Sequence, residues 1–309
     1  MNINTLNRPI EITAPVRSAP RKHKRAQRRD WRWLRRYRGG LVAAGLLTII
    51  VLLVALAPHI TPHDPTGGMN LQSRFIPPFW QAGGTLLHPL GTDNLGRDVL
   101  ARTLYGGQIS LGVAFIASSL ASLLGITVGV ISGYVGGLPD RALMRLTDIW
   151  VAFPFLVLAL AVIAVVGSSP PILIALMTLS GWVYSARVTR AQTLKLRQTD
   201  YVEAAVVLGA PPAQIVWRHI IPGIISVNIV LWTLTFGTLI IVESSLSFIG
   251  LGVNPPTPSW GNMLSDSQTY LQDAWWLSVV PGLALMLTVL CVNAVGDALQ
   301  KLAARHLDA

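Results

Sequence analysis

The residues best suited to recognition chemistry lie between positions 187 and 222, which read RVTRAQTLKLRQTDYVEAAVVLGAPPAQIVWRHIIP. Five basic side chains (Arg187, Arg190, Lys195, Arg197, Arg218), the acids Asp200 and Glu203, and His219 share a polar insert between two apolar stretches. Such an insert presents a charged, helical surface to a soluble partner. Asp200 and Glu203 have the spacing of an N-cap and its reciprocal partner, which predicts a helix starting at Tyr201. Gly209 ends that helix. Pro211 or Pro212 then suits the first turn of a second helix, running through Trp217 and stopping before Pro222. Ala204 and Ala205 leave one face low enough for a close fit.

Elsewhere, Glu243 is the acidic residue set well inside an apolar run, and ionisable residues in such places are functional candidates. It either lines a path, braces a partner, or forms a hydrogen-bonded structural kink with Ser244, Ser245 and Ser247. Asp93, Arg97 and Asp98 either meet a ligand or partner, or pair with one another. The single cysteine, Cys291, sits in an apolar run, and the six histidines show no paired spacing, so neither disulfides nor a metal site are expected.

The elements that must carry these residues are membrane spans. The 309 residues are 52% hydrophobic and 12% charged, with a mean hydropathy of +0.53, which is too apolar for an ordinary soluble domain. Six runs approach the roughly 20 residues needed to cross hydrocarbon: about 40–58, 109–133, 149–167, 171–190, 224–249 and 276–298. They lack the alternation of barrel strands, so all six are read as helices and the fold class as all-α. Ala55-Leu56-Ala57 imitates a signal-peptide cleavage site, but the preceding tail and apolar run are both too long, which favours an uncleaved first span. Gly125, Gly129 and Gly133 form a small-residue ladder on the second span, read as intramolecular packing rather than a dimer interface.

Charge sets the orientation. The net charge of +10 is concentrated: 12 of the 24 Lys and Arg lie in the first 38 residues, which points to a basic tail rather than a nucleic-acid-binding fold. With the N-terminus in the cytoplasm, that tail, the 134–147 loop, the 187–222 insert and the C-terminal end share one side. Only Arg74, Arg97 and Arg102 fall on the other. The positive-inside rule therefore expects both termini and the insert to be cytoplasmic, with Trp31, Trp33 and Tyr37 at the inner headgroup layer. The tail either makes a specific contact with anionic membrane lipids or a protein, or simply sets topology as a solvated end. The 59–108 segment and the 254–276 loop face outward, where both could dock a binding protein or cap the cavity.

Several strings then carry a specific resemblance. Glu203-Ala204-Ala205, followed by Leu208-Gly209 and by His219-Ile220-Ile221-Pro222, resembles the EAA signature of permease subunits of binding-protein-dependent ABC importers. The run from His88 to Asp98 (HPLGTDNLGRD), Ile109-Ser110-Leu111, Phe153-Pro154, the run from Glu243 to Gly252 (ESSLSFIGLG) and Pro256-Thr257-Pro258-Ser259-Trp260-Gly261 resemble the C-type permease of the dipeptide, oligopeptide and nickel group. The resemblance extends from about residue 30 to 300, with the motifs in the family's order.

It implies a six-span permease fold of the type I ABC importer kind, in a bacterial plasma (inner) membrane. Its implied partners are a B-type permease, two ABC ATPase subunits and an extracytoplasmic solute-binding protein. It also implies that Glu203, Ala204, Ala205, Leu208, Gly209, His219 and Pro222 couple to an ATPase whose closure on ATP opens the permease pair outward. Translocation-path candidates are Glu243, Ser244 and Asn293. Docking candidates for the binding protein are Asp93, Arg97, Asp98 and Trp260. The sequence lacks a G-x-x-x-x-G-K-[ST] loop, so ATP and magnesium are expected on the partners and no cofactor or catalysis in this chain.

Two departures from the family pattern stand out. Val206 follows the alanines and Pro211 follows Gly-Ala, which makes the docking surface more apolar. The end ALQKLAARHLDA after Gly296-Asp297 lacks the family's Asp-Pro finish. The expected organisation is a basic cytoplasmic tail (1–38), a first span (39–58), an outward segment (59–108), a permease core (109–300) with the coupling loop at 191–222, and a short cytoplasmic tail (301–309). Peptide is the family's majority substrate, with nickel, glutathione or sugar as alternatives. An ion-coupled secondary transporter would call for more buried charge and for helices interrupted at the midplane. A non-transporting membrane scaffold that recruits soluble proteins through the same insert is the other rival.

Overall fold

The computed structural model describes residues 38–67 and 70–307. The basic tail, with Trp31, Trp33 and Tyr37, lies outside the described residues, as do the last two positions. Among the described residues there is no β-strand, only an isolated bridge between Thr92 and Asp98.

Helix α1 (Arg38–Ala55) is apolar on all sides, and of its residues only Ala43 and Val54 are buried. Such a helix suits a hydrocarbon surround. It leans on the last helix at Gly40, where a Cβ would lie 2.5 Å from the Cβ of Ala298. Between the single turn α2 (Ala57–Ile60) and residue 98, the described residues hold only one further helical turn, Leu71–Ser73.

Helix α3 (Val99–Val135) has 37 residues, about 55 Å at 1.5 Å per residue, well beyond the hydrocarbon thickness. It starts ten residues before the apolar run begins. Asp98 caps it, accepting the Ala101 N–H at 2.7 Å, so the cap rather than hydropathy sets the boundary. α3 lies along α6 (Pro170–Arg197). Cβ atoms added at Gly125, Gly129 and Gly133 would sit 2.6, 2.6 and 2.8 Å from the Cβ atoms of Ser185, Thr189 and Thr193, respectively. The small-residue ladder therefore seats one helix of this chain against another, rung by rung at a spacing of four.

The third apolar run is not one straight helix. α4 (Gly137–Ala152) and α5 (Phe155–Val166) meet at 82°. Pro154 lacks an N–H and its ring clashes with the preceding turn, so the helix stops at Ala152 and restarts after the proline. Among the described residues, five helices are long and apolar enough to cross a membrane, and this bent pair makes a sixth if it counts as one span.

A short helix α7 (Asp200–Val207) and α8 (Pro212–Ile215) form the insert. α8 does not stop before Pro222. It passes through a wider π turn (Val216–Ile220) straight into α9 (Ile221–Phe248). The Ile221 N–H reaches back to the Val216 carbonyl, so the widened turn carries the helix across a position where proline offers no donor. The chain ends with α10 (Trp260–Ser267) and α11 (Trp276–Leu307). The main core joins α1, α3, α5, α6, α9, α10 and α11 around Leu173, Met177, Leu239, Ile240 and Trp260.

Candidate functional site

The insert is a helical hairpin with its own small core. Val202, Ile215, Ile220 and Ile224 are buried against Val130 of α3, which fixes α7 to the end of the long helix. The expected capping box is absent. Thr199 is the N-cap residue, its carbonyl accepts the Glu203 N–H at 3.0 Å, and neither Asp200 nor Glu203 closes the reciprocal bond. Asp200 thus enters the helix, and both acids stand in its first turn, where they favour the N-terminal dipole.

The other end of α7 shows why the glycine must be where it is. The Gly209 N–H bonds the Val206 carbonyl and the Ala210 N–H bonds the Ala205 carbonyl, each at 3.0 Å, with Gly209 at φ +78°. This is a Schellman closure, and Ala205 and Ala210 both pack into the hairpin core. A Cβ at Gly209 would meet nothing within 4 Å. The requirement is therefore the left-handed backbone alone.

Beyond this closure the tip is apolar and open. Val207 and Leu208 are each 86% exposed and Trp217 is 71% exposed, with Val206 also outside. Glu203, Ala204, Gly209 and Pro222 are exposed as well, while Ala205 and His219 are half-buried. The His219 ring lies 5.9 Å from that of Tyr201. Four of the basic residues counted with the insert, Arg187, Arg190, Lys195 and Arg197, belong to α6, the span behind it. Arg190 makes a two-pronged bond to Asp140 at 2.5 and 2.6 Å, and Arg187 meets Asp148 at 2.8 Å. Both fasten α6 to α4.

At the opposite end of α3, the docking candidates are turned inward. Asp93 accepts from the Leu95 and Arg97 N–H groups, both at 2.9 Å, and from Arg97 Nε at 2.7 Å. Arg102 Nη1 lies 3.3 Å from the same carboxylate, and its Nη2 lies 3.6 Å from Asp266. Burial raises the Asp266 carboxyl above its ordinary value, while Arg102 and Arg97 pull it down. Asp98 caps α3 and holds His88 Nδ1 at 2.9 Å. Asp93, Arg97, Asp98 and Arg102 are all buried. As arranged, they brace one another.

Trp260 is buried as well. It is 1% exposed, its indole N–H donates to the Thr103 carbonyl at 2.9 Å, and its backbone N–H donates to Ser110 Oγ at 3.2 Å. Its ring covers Gly107, where a Cβ would come within 2.9 Å. The capping box absent from the insert is found here, between Ser259 and Asn262, and it starts α10.

Glu243 is 0% exposed, accepting from Ser247 Oγ at 2.7 Å and from Ser244 Oγ at 3.4 Å. A Cβ on the neighbouring Gly261 would fall 2.3 Å from the Ser244 carbonyl oxygen. The serine-rich stretch is therefore the seat of α10, with Glu243 and Ser244 both buried in this chain. Asn293 is exposed, its Oδ1 beside Gly237.

Sequence reasoning missed two groups. Ser122, Asn228 and Trp232 line an open concavity of about 190 Å³ between α3 and α9. Beside it, Trp232 stacks on Phe236 at 5.7 Å, and Phe115 meets both edge-on. Helical spacing across α9 could have shown the aromatic pair. The second group is His63, His88 and Asp98, whose ligand-capable atoms converge within 4.8 Å. Loop closure brings them together, so their spacing in sequence carried no signal.

A helical membrane bundle with an apolar-tipped hairpin at one end of its longest span has the architecture of a transport permease. Residues 125–308 match the family described as binding-protein-dependent transport system inner membrane component. Residues 28–78 match the N-terminal TM domain of oligopeptide transport permease C. The chain belongs to this family of ABC importer permeases. It is 36% identical over 273 residues to the dipeptide transport system permease protein DppC of Haemophilus influenzae, covering 87% of this chain and 91% of that one. It is 35% identical over 291 residues to the glutathione transport system permease protein GsiD of Pectobacterium atrosepticum, covering 93% and 95%. The inward-facing MetNI methionine ABC transporter shares its fold, with a TM-score of 0.54 at 20% identity over 64% of this chain and 94% of that one. Members of the family are generally non-catalytic subunits of multi-pass inner-membrane assemblies.

Proposed function

We propose that this chain is one half of the translocation pore of an ATP-driven importer of di- or oligopeptides. It pairs with a B-type permease and is powered by two ATPase subunits that bind the ATP and magnesium. An extracytoplasmic binding protein delivers the ligand. Its termini and hairpin lie in the cytoplasm, in keeping with the bias of Lys and Arg to that side. The chain performs no chemistry of its own.

The observation that carries the reading is the hairpin tip. Val207, Leu208 and Trp217 are exposed on a scaffold fixed by Val202, Ile215, Ile220 and Ile224. Contiguous exposed apolar surface of that kind marks a partner site. An ATPase seated there would bias the permease pair between its inward- and outward-open arrangements through its differing affinity for the two. The open face with Ser122, Asn228 and Trp232 is where the second permease closes the pore.

The relatives named for dipeptide and glutathione transport support a peptide substrate. Uptake of labelled dipeptide and of labelled glutathione, in cells carrying or lacking this chain with its partners, tests it. ATP-dependent dipeptide uptake that vanishes with the chain is the expected result. Uptake that continues without ATPases under an ion gradient would replace this reading with a secondary transporter.

A further inference from the structure

His63 follows the short helix α2, His88 opens the turn that leads into α3, and Asp98 caps α3. Their ligand-capable atoms lie within 4.8 Å of one another. The two imidazoles face each other with ring centroids 4.9 Å apart and planes inclined by 40°. They border a cavity of about 210 Å³ whose wall also includes Asp64, Asn70 and Ser73.

We propose that His63, His88 and Asp98 form a binding site for a divalent transition cation of the zinc or nickel type. Two imidazoles and a carboxylate are the donor set that borderline cations select, whereas magnesium and calcium take oxygen-rich shells. Three protein ligands leave a coordination position for water or another small donor, and the cavity supplies the room. A His88–Asp98 hydrogen bond at 2.9 Å accounts for those two residues as a structural pair. It gives no reason for a second imidazole to stand within ligand range.

Donor atoms around one zinc ion sit about 3.3 Å apart, so the cluster closes slightly on the cation. His63 is the part able to move. It is half-buried, and its Nδ1 has only a 3.5 Å contact with Thr61 Oγ1. Arg97 also lines the cavity, but its Nε is held by Asp93 at 2.7 Å, and Asp64 adds a carboxylate to the wall. Binding would clamp the loop after α2 onto the turn that begins the longest helix.

The test uses the full-length, tag-free chain in detergent, stripped with chelator and titrated separately with Zn²⁺ and Ni²⁺ by equilibrium dialysis. One cation per chain and a rise in melting temperature are expected. His63→Ala should weaken binding by about 100-fold or more and abolish the rise, with the metal-free melting temperature unchanged. His59→Ala, which removes an exposed histidine nearby, should bind as the wild type does. Co²⁺ added to the unmodified chain should give visible absorption bands, a readout that needs no variant. Absence of stoichiometric binding, undiminished binding by His63→Ala, or absence of the Co²⁺ bands would each overturn the site.

Discussion

In the 88–102 segment the charged side chains are buried, whereas in the hairpin at the other end of α3 it is apolar side chains that are exposed. Asp93, Arg97, Asp98 and Arg102 are turned into the protein, with Asp93 shared by two arginines. Val207, Leu208 and Trp217 project outward from a hairpin whose core is only a few residues deep. Charge is scaffolding in the first region, and in the second apolar surface is the face proposed to meet the ATPase. Desolvated ions persist only when paired, and large aliphatic side chains stay in water mainly where a partner covers them. The assignment of function thus follows exposure and not polarity.

The comparison breaks most severely at Asp93. Asp93→Ala leaves two buried guanidinium groups without their shared carboxylate, and breaking buried pairs of this kind costs about 3–5 kcal/mol. Thermal unfolding in detergent should show a large fall in melting temperature. A melting temperature close to that of the wild type would mean that this cluster is not the scaffold.

Gly209→Val should cost about 1–3 kcal/mol, because a β-branched residue is forced to φ +78°. The strain is local. Proteolysis should report loosening of the hairpin while the bundle melts nearly as before, and nucleotide hydrolysis by the ATPases should lose its coupling to uptake. A hairpin as protease-resistant as in the wild type would separate the glycine from the closure assigned to it.

The smallest stability effect is expected at Asp266, on the exposed edge of the charged cluster. Burial raises the Asp266 carboxyl above its ordinary value of 3.8, so the folded chain binds a proton more readily than the unfolded one. Between 3.8 and that raised value, stability from this group falls as pH rises. Asp266→Asn should flatten this slope, as read from melting temperature against pH. An unchanged slope would remove the residue from the charged cluster.

Much of this was legible in the sequence, and the misses have physical causes. Hydropathy marked all six apolar runs but not the bend at Pro154, because a window average ignores the missing N–H and the steric clash of one residue. It also placed the start of α3 at 109, since Arg102, Gly106 and Gly107 look unlike a span. They are helical because Asp98 caps the helix and Trp260 packs down on Gly107. The hairpin was readable from Gly209 and the proline pair, yet Thr199 took the cap expected of Asp200. Mutual pairing of Asp93 with Arg97 was visible as one alternative at short range. Arg102 and Asp266, and the seat that Glu243 and its serines make for α10, join segments far apart in the chain and leave no local pattern.

The hairpin tip itself is tested most directly by Leu208→Asp in the reconstituted complex of both permeases, the ATPases and the binding protein. Leu208 is 86% exposed, so its replacement should shift the stability of the chain by no more than about 0.5 kcal/mol. The measurement is ligand-stimulated ATP hydrolysis. A fall to the unstimulated rate with the melting temperature intact is the predicted result. Full stimulation with the ATPases still bound would contradict the assignment of this surface.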